Sequence, residues 1–429
     1  MKRLKIEQLQ EELFYKKLPN GLDVYILEKP EINKTFCTFT TKYGSIDNHF
    51  VSAKTNELIK VPDGIAHFLE HKMFEKEDGD VFQKLSKQGA NANAFTTFTR
   101  TAYLFSSTSN VEENLETLIN FVQEPYFTEA SVEKEKGIIG QEITMYDDDP
   151  DWRHYYQTIA NMYHKHPVRI DIAGTVESIS KITKDMLYEC YETFYHPQNM
   201  LLFVVGPVDA NNIMQLVEKN QEAKKISEAP TIERQFEEEP KPVAKKKETL
   251  QMNVVNPKVF IGIKSNQLGL TGEELLKFEL SIQIMLESLF GQSSKFYTEG
   301  YKEGLLNDSF TFDFTQEENY GFGLVGGVSK SYEKLSEEIQ KVLLETKNKT
   351  IDKEELSRIK KKKIGNFLRA MNSPEFIANQ FTRFAFNDMS LFDTVATLEN
   401  LSIEEIKANY DLLIQEEYLT ECILLPKKA

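Results

Sequence analysis

DGIAHFLEHKMFEKEDGD, residues 63–80, is the stretch from which the rest of this 429-residue chain can be read. Ile65, Ala66, Phe68, Leu69, Met73 and Phe74 recur at helical spacing, so a helix with one buried face is expected here. On a helix, residues four apart face the same way, and His67 and His71 therefore present their imidazoles to one point. Two imidazoles so placed are part of a transition-metal site. Glu70 lies three residues from His67 on the same side. Its carboxylate can take a proton from a metal-bound water there and later deliver it to a leaving group. Idle histidines on a partly buried helix would leave polar rings unpaired, which is costly.

H-x-x-E-H is the reversed spelling of the H-E-x-x-H helix of zinc proteases. A catalytic site of this kind needs a third protein ligand. SVEKEKGIIGQEITMYDD, residues 131–148, has helical periodicity and offers Glu133, Glu135, Glu142 and the aspartates at 147 and 148, followed by Asp149. Glu135 and Glu142 are seven apart, two turns along one face. One can bind the metal while the other orients a histidine. Spacing alone leaves the choice open.

Outward from this centre, residues 21–29 and 35–45 are rich in β-branched and aromatic residues and predict strands, as does the alternation through 92–107. Helices are predicted over 110–123, 131–148 and 182–196, with a strand from Asn199. Residues 221–249 carry three prolines, many charges and almost no large apolar side chains, which predicts an exposed linker. Beyond it, strands at 257–265, 309–314 and 320–328 alternate with helices at 273–290, 332–347 and 353–371. The order of elements repeats in the two halves. The expected architecture is α+β: two related domains, each a mainly antiparallel sheet packed against helices. They would span 1–220, the zinc-binding catalytic domain, and 250–429, the non-catalytic one.

The net charge of −16 disfavours a nucleic-acid partner or an anionic membrane surface. Cys37, Cys190 and Cys422 are few, odd in number and far apart, the pattern of reduced thiols in a cytoplasmic protein. The opening residues carry charges throughout and no apolar core of a secretory signal. His164, His166 and His196, beside Tyr and Pro, are expected in structural roles. Trp152 is expected to pack over the acidic loop before it, and Cys190 in or near the core.

Residues across nearly the whole chain resemble the pitrilysin–insulinase family of zinc peptidases, which includes the mitochondrial processing peptidase, and within it the bacterial YmfH-like branch. The resemblance is carried by LPNGLDVYILEKP, GIAHFLEHKMFE, GANANAFTTFTRTAYLF, EKEKGIIGQEITMYDDDP, IAGTVESISKIT, YHPQNMLLFVVG and SSKFYTEGYKEGLL. It implies one zinc ion on His67, His71 and Glu142, with Glu70 as general base. Glu135 is implied as the glutamate that orients a histidine from behind. It also implies that Ala92, Asn93, Ala94, Phe95 and Thr96 form an edge strand on which an extended peptide lies through main-chain hydrogen bonds. The implied activity is hydrolysis of short unfolded peptides or processing of leader segments.

One segment departs from the pattern. Where relatives carry an Arg and a Tyr that hold the substrate carbonyl, this chain has Tyr301 and Asn307. The family builds its chamber from two such two-domain halves, and this chain supplies one. A heterodimer with a metal-less paralogue bringing the missing pair is therefore expected, with a homodimer as the alternative. A zinc-binding but catalytically silent scaffold subunit is the competing function.

Overall fold

The computed structural model describes residues 1–77, 79–224, 228–345 and 351–427. Two compact units are present, and neither is a continuous half of the chain. Unit 1 comprises Met1–Ile143, Asp171–Phe236 and Ala370–Arg383; unit 2 comprises Thr144–Ile170, Glu237–Arg369 and Phe384–Ala429.

In unit 1 the chain forms β1 (Lys2–Ile6), β2 (Glu11–Lys17), β3 (Asp23–Glu28) and β4 (Thr35–Thr41). The ribbons β5 (His49–Val51) with β6 (Leu58–Lys60) and β7 (Glu75–Lys76) with β8 (Gly79–Asp80) follow. Next come β9 (Ala90–Thr96), β10 (Thr101–Ser107) and β11 (Met200–Gly206). Seven of these make one sheet in the order β1-β2-β3-β11-β4-β10-β9. Among the described residues its pairings are antiparallel except β3 with β11. TFCTFTT in β4 and MLLFVVG in β11 are buried at every position, as expected of central strands covered on both faces. β1 is the opposite case. Lys2, Arg3 and Lys5 put charge on an exposed edge, which blocks further pairing and also erases the alternation by which a strand is recognised.

Helices α1 (Ile65–Met73), α2 (Val81–Lys87), α3 (Val111–Gln123) and α4 (Glu129–Asp148) follow the predicted periodicities, α2 excepted, which was not anticipated. In unit 1, α1 packs on β9 and β10, and α3 on β4 and β10. The late segment that joins this unit places Phe381 against Tyr25 and Phe203, with ring centroids 4.7 and 4.6 Å apart.

Unit 2 holds β12 (Lys247–Met252), β13 (Lys258–Ser265), β14 (Thr311–Gln316), β15 (Gly321–Val328) and β16 (Leu419–Pro426), in the sheet order β12-β16-β13-β15-β14. β12 runs parallel to β16 and the other pairings are antiparallel. Chain order and strand direction thus reproduce those of β3, β4, β9, β10 and β11. The internal repetition expected from the sequence is real at the level of topology. The long helix after β13, Gly272–Phe290, stands at the position of α1 but contains no histidine. A helix of the first half, α5 (Pro150–Met162), packs on β13 and β16. There the buried His154 stacks on Phe260 at 4.5 Å, and its Nε2 lies 2.9 Å from the Cys422 carbonyl oxygen.

The segment read as an exposed linker is held at defined points. In unit 1, Arg234 Nε donates to Asp47 Oδ1 at 2.6 Å, and the main chain at Glu233 and Gln235 bonds to Val51 and His49. In unit 2, Glu239 accepts from the backbone N–H groups of His164, Lys165 and His166 at 2.8, 2.8 and 2.9 Å, and from Lys264 Nζ at 2.7 Å. Lys264 is fully enclosed. The Glu239 charge, which looks solvated in sequence, is here one partner of a buried pair. Residues 225–227 of the segment lie outside the described residues. No described helix is long and apolar enough to cross a membrane.

Candidate metal centre

The turn that launches α1 is fixed by two glycines. Gly64 has φ +88° and Gly174 φ +72°; a Cβ on Gly64 would lie 2.4 Å from the Ala173 carbonyl oxygen, and one on Gly174 2.5 Å from that of Asp63. Ser178 Oγ also donates to the Asp63 carbonyl at 2.8 Å. With its start pinned, α1 buries Ile65, Ala66, Phe68, Leu69 and Met73 and turns His67 and His71 to the same side. Their ring centroids are 4.6 Å apart.

Helix α4 brings up the carboxylates. Glu142 Oε1 is 3.8 Å from His67 Nε2, and its Oε2 is 3.5 Å from His71 Nε2. Ligand atoms of His67, His71 and Glu142 all lie within 4.8 Å of one another. Tetrahedral zinc bonds of about 2.0–2.1 Å require ligand atoms roughly 3.3 Å apart, so the three donors fit such an ion with little adjustment. Two nitrogens and one carboxylate oxygen also suit a catalytic rather than a structural ion, since a position stays open.

Glu135, two turns before Glu142, does something else. Its Oε1 is 3.2 Å from His71 Nδ1. Nδ1–H donating to that carboxylate leaves the Nε2 lone pair of His71 on the side of Glu142. Burial pulls the His71 imidazole down, but the Glu135 hydrogen bond and the charges of Glu70, Glu142 and Glu135 more than offset it and raise its pKa. Burial and then the neighbouring His71 push His67 down to about 4, so His67 keeps the lone pair a metal needs. Of the glutamates and aspartates proposed from spacing, the structure brings Glu135 and Glu142 to the histidines. Glu133 instead pairs with Lys136 at 2.6 Å.

Glu70 is buried beside this set. Thr96 Oγ1 donates to its Oε2 at 2.5 Å. Burial pushes Glu70 up to about 7, opposed by Thr96 and His71 and reinforced by Glu142, which is the range a general base near neutral pH requires. The segment Ala92–Thr96 lies on β9, which pairs only with β10 and forms an edge of the sheet among the described residues. Ala92, Asn93, Ala94 and Phe95 thus lie on an accessible strand, and Arg100 sits over the Phe95 ring at 5.9 Å. Thr96 ends that strand and belongs to Glu70, a link that residue spacing does not reveal.

Elsewhere, His166 Nδ1 and His196 Nδ1 accept from the N–H groups of Val168 and Gln198, the structural roles expected of them, and the three cysteines are free and buried. Trp152 stacks on Tyr146 at 4.3 Å, and its backbone N–H donates to Asp149 Oδ1 at 3.0 Å, beside the acidic run that precedes it. At the departing segment, Asn307 Nδ2 donates to the Val328 carbonyl at 3.0 Å and its Oδ1 accepts from Ser309 N–H. Tyr301 is exposed and stacks on Tyr297.

Comparison with known proteins supplies the family. Residues 60–176 match the insulinase (peptidase family M16) model, and residues 181–363 match the model described as the peptidase M16 inactive domain. The chain is 58% identical to a Bacillus subtilis protein named "Uncharacterized zinc protease YmfH", over 100% of both chains. It superposes on an M16-like peptidase from Alicyclobacillus acidocaldarius with TM-score 0.93 and 39% identity, covering 97% of this chain and 99% of that one. Its fold also matches pitrilysin, with TM-score 0.76 and 14% identity, over 100% of this chain but 47% of the longer one. The chain, with its H-x-x-E-H helix, its paired sheets and this whole-length likeness, belongs to the M16 (insulinase/pitrilysin) family.

Proposed function

We propose that this chain is a zinc-dependent endopeptidase that hydrolyses short unfolded peptides or processes leader segments. The observation that carries it is the convergence of His67, His71 and Glu142 ligand atoms within 4.8 Å, with the buried Glu70 beside them. A divalent ion held there supplies Lewis-acid polarisation of the scissile carbonyl and a more acidic water. Glu70, with its carboxyl raised by burial, accepts the proton of the attacking water and passes it to the leaving amine. Thr96 keeps Glu70 aimed, and Glu135 keeps His71 aimed. The free edge of β9, from Ala92 to Thr96, offers main-chain N–H and C=O groups to an extended peptide, which makes binding tolerant of side-chain sequence.

The chain's match to about half of pitrilysin supports the idea that it forms one half of a two-chain chamber, most simply with a metal-less family paralogue in the reducing cytoplasm. Tyr301 and Asn307 favour a partner, because Asn307 is engaged in its own turn and neither residue supplies a cation. The same two residues favour the second reading, a zinc-binding scaffold without catalysis. Co-expression separates the possibilities. Cleavage of a quenched fluorescent peptide library only with the paralogue supports the heterodimer, and cleavage by the chain alone supports a homodimer. No cleavage under either condition, with zinc bound, supports the scaffold.

A further inference from the structure

Lys72 follows the second histidine directly, and no part of it is exposed. Nothing in the chemistry above uses it. An ammonium taken out of water is kept only where carboxylates hold it. Its Nζ is tied to Glu75 Oε2 and lies 3.7 Å from Glu135 Oε2. The other oxygen of Glu135, Oε1, is the one 3.2 Å from His71 Nδ1. One carboxylate thus spans from a buried cation on α1 to a metal-site histidine on the same helix, while itself standing on α4.

We propose that Lys72 is a positioning residue of the metal centre, holding Glu135 in the orientation in which Glu135 fixes the His71 ring. The proposal rests on the reading of His67, His71 and Glu142 as metal ligands. The last torsion of a glutamate is broad and weakly restricted. A hydrogen bond to one oxygen leaves the carboxylate free to swing; a cation on the second oxygen does not. Glu135 so held keeps His71 in one tautomer, with Nε2 3.5 Å from Glu142 Oε2. His67 has no such brace among the described residues, where its buried Nδ1 finds no hydrogen-bond partner. The order of the donor set therefore depends on the His71 side. Lys72 has an opposite effect as well, since its charge repels a nearby dication. If repulsion were its whole influence, removing it would tighten metal binding.

The test measures the zinc dissociation constant of the full chain by competition with a chromophoric chelator, for wild type, Lys72→Met, Glu135→Gln and the double variant. Lys72→Met is expected to weaken zinc binding by about tenfold or more, the range for loss of a group that orients a metal ligand. In the Glu135→Gln background the same change should alter affinity by less than about twofold, because its route is already cut. Unchanged or tighter binding by Lys72→Met overturns the proposal, as does an equal loss in both backgrounds. Circular dichroism of the metal-free chains checks folding. Should the methionine variant not fold, Lys72→Gln replaces it: its amide is neutral, and a smaller loss, again absent with Glu135→Gln, is expected. His71→Ala distinguishes the underlying reading. If it binds zinc as wild type does, the metal-centre assignment itself fails.

Discussion

Replacing Glu239 with alanine should destabilise unit 2 far more than its place in a charged, proline-containing segment suggests. The carboxylate accepts three backbone N–H groups and the ammonium of Lys264, which is completely enclosed. Breaking a buried pair from one side costs about 3–5 kcal/mol, because the remaining charge stays buried. Lys264 keeps the Pro240 and Pro242 carbonyls at 2.6 and 3.2 Å, so the lower end of that range, about 3 kcal/mol, is the expected loss. Lys264→Met should cost less, since Glu239 retains its three N–H donors. The pH dependence has a definite sign. Burial alone would raise the Glu239 carboxyl, but Lys264 and the N–H groups of His164, His166 and Lys165 override it and hold the group below its ordinary value. The contribution is therefore full above the unfolded value of about 4.3 and is lost as pH falls through the lower folded value. Trp152 is the sole tryptophan and lies in unit 2, so its fluorescence during urea unfolding reports this unit. A loss below about 1 kcal/mol at pH 7, the level of an exposed ion pair, would refute the reasoning.

His154 and His166, both pushed down to about 4 chiefly by burial, stay neutral in the fold while the unfolded chain takes up protons near 6.5. Their folded values are lowered, so the stability they allow is full above about 6.5 and declines toward 4, at up to about 1.4 kcal/mol per pH unit for each. His154→Gln should flatten the acid slope of the Trp152 transition; an unaltered slope counts against the buried neutral ring. Gly64→Ala should destabilise unit 1 by about 1–3 kcal/mol and weaken zinc binding, because its Cβ meets the Ala173 carbonyl and tilts the start of α1. Wild-type zinc affinity in that variant would show that the turn does not set the site. Glu142→Gln should release zinc at chelator concentrations that wild type withstands, read by metal analysis after dialysis, and full retention would remove Glu142 from the ligand set.

The parts legible in the sequence were those in which one local period decides the outcome. The apolar rhythm of Ile65–Met73 predicted α1, and helical geometry then placed His67 and His71 together. The repetition of strand and helix order anticipated the matching sheets. β1 escaped notice because an edge strand carries its charges where a core strand would alternate, and β2, though paired on both sides, buries only Leu13 fully and so shows no clear alternation either. The transfer of residues 144–170 into unit 2 and 370–383 into unit 1 has no local signature, since it is set by where apolar faces of α5 and Phe381 find cover. The Glu239–Lys264 pair joins residues 25 apart through a buried contact, and composition assigns Glu239 to an exposed segment. Thr96 lies on the expected substrate strand, and its hydroxyl in addition donates to Glu70, a link set by which face of β9 meets α1 and not by residue spacing.

Cleavage by the Glu70→Gln variant, loaded with one zinc per chain and compared with equally loaded wild type on a peptide that wild type cuts, tests the central claim most directly. The account predicts zinc retained and turnover reduced by about 10²–10⁴-fold, the loss of a general base. Undiminished cleavage by the zinc-loaded variant would contradict it.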